Sequence, residues 1–227
     1  QANFSNSRGS YSGVYYPNYN SGATELYTNP NTSNPGVLEE PYRKYWGLSF
    51  EATKRMSDNW SLRANYTYSR NTGNLGQDYG IIQGFSSYDN PNSWVNATGR
   101  LSLERPHVLK VSGTYIAPFE ILITPAYTWM SGAPWAPSVT IGNATVRIEP
   151  VDGSKRYENQ ANLDLRLEKA FTLAGKYRVG VVFDVFHAFN DDAVTGYKST
   201  NITSSNFTVP NAIVRARYYQ AGVRFNF

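Results

Sequence analysis

From Trp60 to Ser69 the chain reads WSLRANYTYS, a strict two-residue alternation. Trp60, Leu62, Ala64, Tyr66 and Tyr68 share one face of an extended strand, and Ser61, Arg63, Asn65, Thr67 and Ser69 share the other; a helix would scatter both sets. The preceding segment alternates in the same way, with Trp46, Leu48, Phe50 and Ala52 against Tyr45, Ser49, Glu51 and Thr53. Ser57, Asp58 and Asn59 join the two as a hairpin turn. The pattern returns at Leu109–Tyr115, at Ile121–Trp129 after an Ala117-Pro118-Phe119-Glu120 link, at Leu163–Leu167, at Val179–Val185 and at Tyr219–Phe227. Pro125 weakens its strand without abolishing it.

Roughly seven strands of about ten residues or more are long for a soluble sheet and suit tilted strands that cross a membrane. The connections carry a second signal. Short turns near residues 57, 118 and 174 alternate with long polar segments at 72–105, 132–156 and 190–212. Outer-membrane barrels show this asymmetry, with tight periplasmic turns and long extracellular loops. In hydrocarbon every backbone amide needs a partner, so strands cross only as a closed barrel. The apolar face is then the exterior and the polar face the lumen, which accommodates a mean hydropathy of −0.48. Aromatics are expected near strand ends: Trp60, Phe119, Tyr177 and Phe227 toward the short turns, Trp46, Tyr68, Trp129 and Phe189 toward the loops. The fold class is thus all-β, an antiparallel transmembrane β-barrel, with roughly seven strands over residues 41–227. Residues 1–40 read as an extracellular loop region with at most one short strand, near Val14–Tyr16.

Composition narrows the chemistry. With no cysteine and two histidines among 227 residues, thiol nucleophiles, zinc knuckles and disulfide scaffolds are excluded, and no cofactor is implied. The net charge of +4 is not gathered into any basic run, so nucleic acid is not an expected partner. Apolar stretches are broken by Glu120, Pro125, Asp184 or His187, so no helix of membrane-spanning length is predicted. Asn190, Asp191 and Asp192 match no standard calcium loop. No motif places an acid or nucleophile beside His107 or His187, and an enzyme is not expected.

The chain ends Q-A-G-V-R-F-N-F. Gln220, Gly222, Phe225 and Phe227 look like the signal read by the outer-membrane barrel assembly machinery, which would capture the last strand by strand addition. VVFDVFHAFN (Val181 to Asn190) resembles the penultimate strand of TonB-dependent outer-membrane receptors. NLDLRLEKAF, RPHVLKVSGTYIAPF, YTWMSGAPW and SLRANYTYSRNTGN are similar to other late strands of that family, and the resemblance is closest to its Oar-like branch, whose members carry a carboxypeptidase-regulatory-like domain. The resemblance covers residues 41 to 227 and implies a large barrel filled by an N-terminal plug, importing scarce ligands with energy relayed by the TonB complex. It implies that this chain is a C-terminal fragment with its plug and TonB-contacting segment elsewhere. The partners so implied are outer-membrane lipid, the plug, the TonB complex and the assembly machinery, in the outer membrane of a Gram-negative-type bacterium. The alternatives are a complete small barrel, either adhesin or enzyme, and a soluble carbohydrate-binding β-sandwich.

The candidate lumen-facing charges are Glu51, Arg63, Lys110, Asp164, Arg166, Glu168, Arg178, Asp184 and Arg224. A three-residue turn after Phe171 would set Asp164 directly opposite Asp184 with Arg166 diagonal, and Arg166 or a basic plug residue would neutralise the pair. On the long loops, Tyr88, Trp94, Trp135 and Tyr157 are the candidates to stack on a ligand.

Overall fold

The computed structural model describes residues 42–74, 95–141, 144–173 and 177–226, together with the dipeptide strands Ser5–Asn6 and Leu26–Tyr27, which pair with each other. The expected strand at Val14–Tyr16 lies outside the described residues.

Seven long strands form one antiparallel meander: β1 (Arg43–Ser57), β2 (Trp60–Gly73), β3 (His107–Ala117), β4 (Ile121–Met130), β5 (Gln160–Leu173), β6 (Tyr177–Phe186) and β7 (Tyr218–Asn226). Each pairs with its sequence neighbours, so spatial order follows chain order. Gly99–Arg100 adds a short piece beside the end of β2. Among the described residues β1 and β7 are the edges of an open sheet and do not pair with one another.

Turn chemistry explains the tight ends. Asp58 and Asn59 both adopt positive φ, 51° and 66°, which is the two-residue turn whose twist matches that of the flanking strands. Pro118 fixes the entry to the second turn, where Phe119 and Glu120 follow at φ 64° and 58°. The third turn closes with Leu173 opposite Tyr177. All three lie at one end of the sheet; the connections at 74–106, 131–159 and 187–217 lie at the other.

The apolar rows are not a core. Leu48, Phe50, Tyr115, Val181, Phe183, Val223 and Phe225 are all exposed, at 41–66%. A soluble sandwich would bury these rows against a second sheet, and none lies against them among the described residues. The buried apolar residues Leu101, Ala133, Ala136 and Ala193 instead sit in the long loops. No described helix is long and apolar enough to cross a membrane, which says nothing against crossing by strands.

Candidate functional site

The strand register brings all nine charged candidates to one face. Residues directly opposite in a ladder share a face, and the sequence Glu51–Asn65–Lys110–Thr128–Asn162 runs straight across β1 to β5. Arg63 faces Thr53 and Ser112. Arg166 faces Thr124 on one side and Asp184 on the other, and Asp184 faces Gln220. Asp164, Glu168, Arg178 and Arg224 follow by the two-residue period of their strands.

The face is laced by side-chain bonds. Arg63 Nε donates to Glu51 Oε1 at 2.9 Å, Asn65 Nδ2 to Ser49 Oγ at 3.0 Å, and the Ser49 and Thr67 hydroxyls lie 3.1 Å apart. Arg224 approaches Glu168 at 3.7 Å. Arg166 grips Asp184 with two prongs, Nε to Oδ1 at 2.7 Å and Nη2 to Oδ2 at 2.9 Å. Such a fork fits a carboxylate as a lysine cannot. Asp184 is 5% exposed.

This corrects the expected pairing of Asp164 with Asp184. The ladder continues to Leu173 opposite Tyr177, and in this register Arg166, two residues on from the expected Asp164, stands opposite Asp184. Asp164 is occupied locally: Oδ1 accepts the His187 N–H at 2.9 Å and Oδ2 the Asn162 amide at 3.1 Å. Asp164 and Asp184 therefore do not form a facing like-charged pair.

On the opposite face, at the loop end, Trp46 and Tyr68 meet edge to face with ring centroids 5.4 Å apart, and Tyr68 stands 5.0 Å from His107. The Tyr66 hydroxyl lies 2.7 Å from His107 Nδ1. This is an aromatic cluster at the level where such rings favour a membrane interface. Phe189 packs edge to face on Tyr127. At the short-turn end, Lys54 Nζ lies 3.9 Å above the Trp60 ring and Lys169 Nζ 5.8 Å from that of Phe119.

The long loops form a layer with its own core. Trp135, Tyr157, Tyr197 and Phe207 pack together, Trp135 against Tyr197 at 5.2 Å and Tyr157 against Tyr197 at 4.9 Å. Burial pushes the Tyr157 phenol above its ordinary pKa. Trp135 Nε1 is buried with no hydrogen-bond partner among the described residues. Trp135 and Tyr157 are thus half-buried members of a loop cluster; Tyr88, Trp94 and Phe227 lie outside the described residues. Phe225 projects from the apolar face of β7 while Gln220 and Gly222 share the polar one.

A site that the sequence reading missed lies beneath this layer. None of the Glu104 side chain reaches solvent, yet it carries two arginines: Arg100 Nη1 donates to Oε1 and Arg156 Nη2 to Oε2, each at 2.6 Å. The Asn71 N–H also approaches Oε1, at 3.3 Å. Arg156 further donates to the carbonyls of Gly153 and Gly132. Burial, and then the nearby Arg156 charge, lowers the pKa of Arg105. Glu104 therefore pins the loop after β2 to the loop after β4. Arg156 lies 52 residues away, so no local spacing betrays the partnership. Among the described residues no three His, Cys, Asp or Glu side chains group as metal ligands.

An open meander with one uncovered apolar face, one charged face and all its long loops gathered at one end is a segment of an outer-membrane β-barrel. A family model for the outer membrane beta barrel domain matches residues 5–121, and the chain belongs to that family; its location is the outer membrane. Among curated proteins it is similar to the TonB-dependent transporter Oar of Myxococcus xanthus, 33% identical over 101 residues. That match spans 40% of this chain and 9% of the length of that relative.

Proposed function

We propose that the chain forms the last strands of a TonB-dependent outer-membrane transporter or receptor that imports a scarce ligand. The observation that carries this reading is the two-faced sheet: its polar face is a continuous ladder of charges, hydroxyls and amides, suited to line a wet lumen. The likeness to the Myxococcus xanthus transporter supports the TonB dependence. In this reading a plug domain meets the polar face. Because Arg166 engages Asp184 and Arg224 lies beside Glu168, the basic candidates left to face the plug are Lys110 and Arg178. TonB acts through that plug, and the assembly machinery captures β7 through Gln220, Gly222, Phe225 and Phe227.

The role is that of a conduit and not an enzyme. His107 is held by Tyr66, and the His187 backbone by Asp164. Ligand capture falls to the loop layer, with Trp135, Tyr157, Tyr88 and Trp94 as its aromatic candidates. The test is uptake by cells carrying or lacking the full-length gene, with ferric chelates, cobalamin, oligosaccharides and peptides offered in turn. One class is expected to lose uptake on deletion, and to lose it equally when TonB is inactivated. Uptake that is indifferent to TonB would point to a passive pore and overturn the reading.

A further inference from the structure

The apolar face is not uniformly studded. On β3, between Val111 and Tyr115, the outward position is Gly113, which stands opposite Leu62 of β2. Across the next ladder the corresponding position on β4 is Pro125. A glycine and a proline side by side leave a gap in the row of projecting side chains. The result is a furrow of about 200 Å³ with Gly113, Leu62 and Pro125 as its floor and Trp60, Tyr115 and Tyr127 as its walls. Its five β3 positions, Val111 to Tyr115, span roughly 13 Å at the usual rise per residue. Gly113 is fixed by the backbone, since a Cβ there would stand 2.5 Å from the Ser61 carbonyl oxygen.

One end of the furrow is charged. Lys54 also lies on the apolar face, opposite Leu62, and its ammonium covers the Trp60 ring that forms a wall. Its three donors reach the Ser57 carbonyl, the Ser57 hydroxyl and the Trp60 carbonyl at 2.7–3.0 Å. All three acceptors are neutral, and no carboxylate pairs with Lys54 among the described residues. An uncompensated cation thus stands at the short-turn end of an apolar furrow.

We propose that this furrow is a binding site for one anionic phospholipid of the periplasmic leaflet, with an acyl chain lying over Gly113 and the phosphate beside Lys54. The alignment matches such a lipid: the furrow runs inward along the strands, and the cation sits at the turn end, where the headgroups lie. The phosphate takes the place of one neutral acceptor on the ammonium. The inference rests on the outer-membrane barrel placement and is independent of what the barrel transports.

The test is native mass spectrometry of the full-length protein, purified in mild detergent and exchanged with phosphatidylglycerol or phosphatidylcholine of matched chains. Heat-modifiable mobility on gels verifies that each variant is folded. The wild type is expected to retain phosphatidylglycerol about fivefold over phosphatidylcholine. Lys54→Gln should bring that ratio near unity, and Val111→Trp, which fills the furrow, should reduce retention of both lipids about tenfold. An unchanged ratio in Lys54→Gln, or wild-type retention in Val111→Trp, would overturn the site. Displacement of the lipid by inorganic phosphate alone would reduce it to an anion contact and equally overturn it.

Discussion

Replacing Glu104 with Gln keeps the shape of the buried side chain and removes its charge, leaving Arg100 and Arg156 unpaired beneath the loops. Breaking one partner of a buried ion pair costs about 3–5 kcal/mol where the survivor is fully enclosed. Here each arginine side chain is 20% exposed, and Arg156 keeps its bonds to Gly153 and Gly132 while Arg100 keeps one to Asp152. The loss should therefore lie at or below the bottom of that range, at about 2–3 kcal/mol. It falls on the docking of two loops and not on the strands, whose ladders do not pass through Glu104. A penalty of that size raises the open fraction of the loop layer by roughly 30- to 150-fold. Trypsin reads this directly, because Arg100, Lys155 and Arg156 all lie in the affected segments and cleavage follows the open population when reclosing is fast. Glu104→Gln in the full-length protein in membranes should be nicked faster by that factor while the barrel stays intact. Arg156→Met leaves Glu104 with Arg100 and should give a smaller increase. Nicking within threefold of wild type in Glu104→Gln would refute the claim that this carboxylate holds the loops together.

The same loop junction should respond to Gly132→Ala, since a Cβ there would overlap the Tyr157 carbonyl oxygen; we expect about 1–3 kcal/mol of loop destabilisation, read by the same tryptic assay. Val181→Arg places a charge on the exposed apolar face and should cost about 2–4 kcal/mol in folding into vesicles. Val182→Arg, directed to the polar face opposite Glu168, should cost little in the same assay; equal costs would mean the faces are assigned the wrong way round. Arg166→Ala strands a buried Asp184 and should lower stability by about 1–3 kcal/mol in thermal unfolding, with Arg166→Lys recovering only part. In the loop after β4, the Ser154 hydroxyl and N–H hold the Asp152 carboxyl below its ordinary pKa. Whatever order that contact lends the loop is present above the ordinary carboxylate pKa and lost as pH falls through the depressed value. Ser154→Ala should move the Asp152 midpoint upward in a carboxyl NMR titration.

The faces were legible because strand parity is a local property: once Arg63 alternates with Leu62 and Ala64, no tertiary contact can put them on the same side. Parity also tolerates errors of two. The register between β5 and β6 was misread by two residues, which kept Asp164, Arg166 and Asp184 on one face yet exchanged the partner of Asp184. The alternation itself cannot decide between these alternatives, since both registers keep the same faces. Glu104 was illegible for a different reason. The segment GRLSLERP has neither helical nor strand periodicity, and the group that makes its glutamate tolerable in the interior comes from another loop.

These two kinds of information divide along the membrane. Within the strands, hydrocarbon on one side and water on the other impose a two-letter alternation that any single sequence displays. Beyond the strand ends both faces of the chain meet water, the alternation loses its cause, and the loops are held by a few specific contacts: Glu104 with its arginines, and the Trp135–Tyr157–Tyr197–Phe207 cluster. If ligand choice resides in that layer, changes there should alter what is bound while leaving assembly intact, whereas changes to the apolar rows should do the reverse. Exchanging residues 131–159 for the corresponding loop of a relative with a different ligand tests this: transfer of ligand preference with unaltered outer-membrane levels is the expected result, and loss of the barrel from the membrane would show that the loop layer also serves assembly.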